Sequence, residues 1–76
     1  MKSRVIELQE KANRLLELAQ SMDRRVESAK RFKNQYEGNW KELAERWEHR
    51  QHIRESKSRK LWNAYIQVLT EIKLEL

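Results

Sequence analysis

From Val5 onward the apolar residues recur in alternating steps of three and four. The run is Val5, Leu8, Ala12, Leu15, Ala19, Met22, Val26 and Ala29, then Lys33, Tyr36, Trp40, Leu43 and Trp47. Steps averaging three and a half place one narrow stripe along an α-helix, the seam of a coiled coil rather than the broader face of a globular helix. Lys33 is the one charged member, and Phe32 beside it is positioned to fill the gap. Small residues at 12, 19 and 29 let a neighbouring helix come close. The chain has a single glycine and no proline. Gly38 costs a helix about 1 kcal/mol relative to alanine. With no proline or turn cluster beside it, the register passes through, and the pattern predicts one long helix over about 3–50.

Residues 48–60, EHRQHIRESKSRK, hold only Ile53 as an apolar residue, and the extended stripe meets Arg50, Arg54 and Lys57 there. The register resumes at Leu61, Ala64 and Val68. Trp62, Tyr65, Ile66, Leu69, Ile72 and Leu76 then add a second stripe beside the first, the mark of a helix that is buried on two sides. The polar segment reads as a helical linker or as a loop that folds the last helix back; the lack of glycine and proline favours helix. A second helix follows over about 58–75. With 38% charged residues and no two-residue alternation, the chain is all-α. Its architecture is a long coiled-coil-type helix followed by a second helix, a hairpin or bundle that oligomerisation would complete.

Chemistry is poorly represented. No cysteine is present, so no disulfide framework or thiolate metal site can form. His49 and His52, near Glu45 and Glu48, share a helical face but leave a divalent ion short of ligands. There is no glycine-rich phosphate loop, and no serine has a base set beside it in a pocket. The expectation is a non-enzymatic protein with no metal, no cofactor and no small-molecule substrate. No stretch approaches the roughly 18 apolar residues of a membrane span, and MKSRVIELQE lacks a signal-peptide core, so a cytoplasmic or nuclear protein without membrane insertion is expected.

What remains is association. On the long helix Leu8, Leu15, Met22, Val26 and Tyr36 form the expected partner interface, joined by Trp40, Leu43 and Trp47 and, on the second helix, by Trp62, Tyr65 and Leu69. Tryptophans at this spacing are hot-spot material for a protein partner, either a second copy or another helix. A short second helix could not reach the N-terminal half of a long one, so that half should need a partner. Trp40 and Trp47 should be covered by the segment 62–76. An alternative reading rests on charge: 17 basic residues against 12 acidic give +5. RRVESAKRFK supplies Arg24, Arg25, Lys30, Arg31 and Lys33, and the polar segment supplies Arg50, Arg54, Lys57, Arg59 and Lys60, with Trp47 and Trp62 on either side. Such a surface would suit a small nucleic-acid-binding protein that dimerises through the same seam.

NWKELAERWEHRQHIRE resembles the third helix of a spectrin repeat, with Trp40 three residues before Leu43 and basic residues following. KLWNAYIQVLTEIKLEL is similar to the first helix of a following repeat, with the aromatic pair Trp62 and Tyr65. The resemblance covers about residues 36–76, and a full repeat of three helices is longer than this chain. It implies a scaffolding role, cytoskeletal or at the nuclear envelope, exercised by helix–helix contact.

Overall fold

The computed structural model of the chain describes residues 3–76 and contains two helices. Helix α1 spans Arg4–Tyr36 and α2 spans Lys41–Glu75. They lie antiparallel as a hairpin measuring 58 × 16 × 13 Å. At 1.5 Å per residue each helix is about 50 Å long, so they overlap along nearly their full length. The radius of gyration is 17.1 Å, against about 11 Å for a compact domain of this length.

The single helix expected over 3–50 is therefore two helices, divided at Glu37–Trp40. Gly38 and Asn39 are both poor helix formers. The Asn39 and Trp40 amides donate to the Tyr36 carbonyl at 3.2 and 2.7 Å, closing α1, and the Trp40 carbonyl accepts from the Ala44 amide at 2.9 Å, opening α2. The helical penalty at Gly38 is small only when set against an isolated helix. The competing state buries both seams against each other, and helical stability in proteins comes chiefly from such packing. Residues 48–60 are helical throughout, so α2 begins well before the 58 expected and reaches the whole of α1.

Along α1 the stripe is the one legible in the sequence. Leu8, Ala12, Ala19, Val26 and Ala29 are buried, while Val5, Leu15, Met22, Lys33 and Tyr36 are half-buried. The Ser3 hydroxyl caps this helix by accepting from the Ile6 amide at 3.2 Å. Along α2 the seam is Ala44, Trp47, Gln51, Arg54, Ser58, Leu61, Tyr65, Val68 and Ile72, again in steps of three and four, all buried or half-buried. It shares Trp47, Arg54, Leu61 and Val68 with the stripe extended from α1. The other half of that stripe, Leu43, Arg50, Lys57 and Ala64, lies one residue early and flanks the seam instead. The turn resets the phase, so a register carried across it cannot hold.

The apolar core is concentrated at the end far from the turn, where Leu8, Ala12 and Val68 are buried with Leu15, Tyr65 and Ile72 packed around them. The N-terminal half of α1 is thus covered within the chain, so the premise that a second helix is too short to reach it does not hold. Arg4 adds an exposed ion pair with Glu71 at 3.4 Å.

A Cβ placed on Gly38 would meet nothing within 4 Å, and the glycine's φ is outside the left-handed region. Gly38→Ala should keep the hairpin and leave stability unchanged or raise it by about 0.4–1 kcal/mol through the unfolded state. Thermal melting checks the stability, and scattering checks that the particle stays 58 Å long. A doubled length would mean that the glycine itself holds the helices apart.

Candidate functional site

The central third of the hairpin is polar, and its contacts sort the two sides of the molecule. On one side Asp23 of α1 accepts from two groups of α2. The buried Ser58 hydroxyl donates to Oδ1, and the Trp62 indole Nε1 donates to Oδ2 at 3.0 Å. Trp62 also meets Tyr65 edge to face, with centroids 5.8 Å apart. Residues at heptad spacing from these lie on the same side: Leu16 and Lys30 on α1; Glu48, Glu55, Leu69 and Leu76 on α2. Lys33 reaches Glu48 at 3.5 Å, which accounts for a lysine in the seam. Lys30 pairs with Glu27 at 3.4 Å, so Glu27 uses the residue three along rather than Arg31 at four. A hydrogen bond from Gln51 at 2.8 Å outweighs the opposing effect of burial and, with the nearby His52 and Lys30, holds the Glu55 carboxyl below its ordinary range.

The other side is cationic. Arg54 donates from Nη1 to the Arg25 carbonyl at 2.8 Å. Arg25, Arg50, Arg54 and Lys57 line one shallow groove with Met22 and Ile53. No carboxylate among the described residues forms an ion pair with any of these four cations. Partial burial, and then the Arg25 and Arg50 charges, push the Arg54 guanidinium below the usual arginine value. At the turn end of this side Phe32 stacks on Trp47, with centroids 4.7 Å apart and planes 22° from parallel. The Arg50 and Arg54 guanidinium carbons sit 4.6 and 5.8 Å from the Trp47 ring centroid, a cation–π arrangement.

The expected interface residues fall into three groups. Leu8 and Val26 are buried; Leu15, Met22, Tyr36, Leu43, Trp47, Trp62 and Tyr65 are half-buried; Trp40 and Leu69 are exposed, at 62% and 42%. Leu15 and Met22 belong to the seam that faces α2, so the surface expected to bind a second chain is largely spent within this one. The cover of Trp47 is Phe32, not segment 62–76, and Trp40 lies open at the turn. Both follow from the turn, which carries α2 back along α1 and leaves 62–76 at the opposite end.

Of the ten basic residues singled out, only Arg25, Arg50, Arg54 and Lys57 share the cationic groove. Lys30 and Lys33 pair with glutamates. Arg24 and Arg31 lie beside Asp23 and Glu27, and Arg59 beside Asp23 and Glu55. Lys60 is exposed. Asp23 and Ser58 went unmarked in the sequence; the signal available was a polar residue on each helix at a position flanking or within an otherwise regular seam. Among the described residues no group of three or more histidine, cysteine, aspartate or glutamate side chains could hold a metal, and no helix is long and apolar enough to cross a membrane. Comparison with known proteins finds no family model, no curated protein and no solved structure that matches the chain.

Asp23→Ala leaves the buried Ser58 hydroxyl without its acceptor and should destabilise the hairpin by about 1–3 kcal/mol. Adding Ser58→Ala removes the orphaned donor and should recover part of that loss. Denaturant titrations of the two variants check this; equal stability of the Asp23 variant and the parent would mean that the carboxylate clamps nothing.

Proposed function

We propose that the hairpin is a non-enzymatic protein–protein interaction module that pairs with a second copy of itself, forming a four-helix, coiled-coil-like bundle. One observation carries the reading: the apolar column Trp62, Leu69 and Leu76, with Ile66 beside it, lies outside the intramolecular seam. Ile66 is 57% exposed and Leu69 42%. Leu16 flanks the same side from α1.

Area supports the same reading. The chain exposes 6157 Å², whereas a globular monomer of this mass exposes about 5,000 Å². The excess is comparable to the roughly 800 Å² that each partner contributes to a standard interface. Charge then selects the side. A two-fold pair brings the same surface together from both copies. The Asp23 side carries both signs and can complement itself, whereas the groove side would set four cations against four. The function proposed is a scaffold that works by helix packing and uses no cofactor. The scaffolding role implied by the likeness of residues 36–76 to spectrin repeats is of this kind, and a continuous α2 fits that likeness without requiring it.

Sedimentation equilibrium tests the proposal. The parent chain should be dimeric at micromolar concentration, and Ile66→Glu with Leu69→Glu should be monomeric while keeping its helicity, because two charges would enter a dry interface. A monomeric parent, or a double variant that still dimerises, would overturn it.

A further inference from the structure

We propose that the groove lined by Arg25, Arg50, Arg54 and Lys57 binds the phosphodiester backbone of a nucleic acid. The site arises from the way α2 sorts its charges. Arg50 and Lys57 occupy one heptad column beside the seam, and Glu48 and Glu55 occupy the column on the other side. Arg54 lies in the seam between them and leans toward α1, where it bonds the Arg25 carbonyl. The carboxylates within residues 48–60, Glu48 and Glu55, are therefore on the far side of the rod, engaged with Lys33, Gln51 and His52. Glu42 and Glu45 line a separate hollow with Arg50 nearer the turn and form no ion pair with it.

Four cations are thus held together with no carboxylate among the described residues paired to any of them. Their mutual repulsion is a standing cost that an anion would relieve. The groove is also preorganised. Arg50 and Arg54 lie against Trp47, which Phe32 backs from α1. One donor of the Arg54 guanidinium is used on the Arg25 carbonyl, which leaves its other N–H groups for a ligand.

The dimensions and the lining favour phosphates over an acidic protein. From residue 50 to residue 57 the helix advances about 10 Å, and one strand of a duplex presents about three phosphates over that length. Three of the four cations are arginines, whose planar fork matches phosphate oxygens in pairs. A protein partner would need a pocket for an apolar anchor, and the groove offers only Met22 and Ile53, the latter 43% exposed. Trp47 is already stacked, so the contact is to the backbone rather than to bases. Sequence preference should accordingly be weak.

Fluorescence anisotropy with a labelled DNA duplex and a labelled RNA duplex tests this. Binding to either should weaken between about 50 and 200 mM salt, with a slope of log K against log salt of about −2.7 to −3.6 for three or four phosphate contacts. Arg50→Gln with Arg54→Gln should bring the slope about two units nearer zero. Arg24→Gln with Arg31→Gln, which removes equal charge from the outward side of α1, should leave it unchanged. Arg50→Gln with Lys57→Gln is the companion variant should loss of the Arg54 bond to Arg25 lower helicity, and the same slope change is expected. No binding at low salt, an equal loss in the Arg24/Arg31 variant, or displacement of the duplex by polyglutamate at equal charge concentration would overturn the proposal.

Discussion

The Asp23 carboxylate, reached at once by Ser58 and Trp62, fixes how α2 lies on α1. A seam whose fully buried apolar residues are mostly alanines, at 12, 19, 29 and 44, specifies register only loosely, because small side chains interdigitate in more than one alignment. Hydrogen bonds to one fixed acceptor do not slide. A bond of this type contributes about 1.5–3 kcal/mol, and a slip of one residue along α2 would turn its faces by about 100° and take Ser58 and Trp62 away together. Everything placed on the two sides of the rod, the apolar column on one and the cations on the other, depends on that alignment.

Half of the architecture was legible in the sequence, and the division has a physical cause. The stripe on α1 could be read residue by residue, down to the charged exception at Lys33. The stripe on α2 could be read at Trp47, Arg54, Leu61 and Val68, and at Tyr65 and Ile72 through the second stripe, but not at Ala44, Gln51 and Ser58. Leu43 outweighs Ala44 in any reading by size, yet Ala44 is the buried one, because close approach of two helices selects the smaller residue. The break at 37–40 escapes a reading of the sequence for a related reason. Local propensity measures what a turn costs, and the gain from reversing the chain is visible only after both seams are known.

The candidate sites show the same pattern. The residue types were apparent, as ten basic positions and eleven interface positions, but their sorting was not. Arg50 and Lys57 looked like polar interruptions of a seam; they are members of a flanking column, which is where charged residues belong on paired helices. The tryptophans divide as well. Trp47 and Trp62 each brace the hairpin, through Phe32 and through Asp23, whereas Trp40 caps nothing with its side chain and stands in solvent at the turn.

The placement of the core bears on the order in which the hairpin forms. Lys33 and Glu48, near the turn, are 15 residues apart in the chain, while Leu8 and Val68, in the apolar cluster, are 60 apart. Zippering from the turn would have to cross the polar middle before reaching the contacts that reward it most. Closing the long loop directly costs only two doublings of loop length more, about 1.2 kcal/mol. Burying a leucine or a valine returns about 1.5–3 kcal/mol each. The open end can therefore nucleate as readily as the turn, and the polar middle, with its Asp23 clamp, then closes between two ends that are already in place.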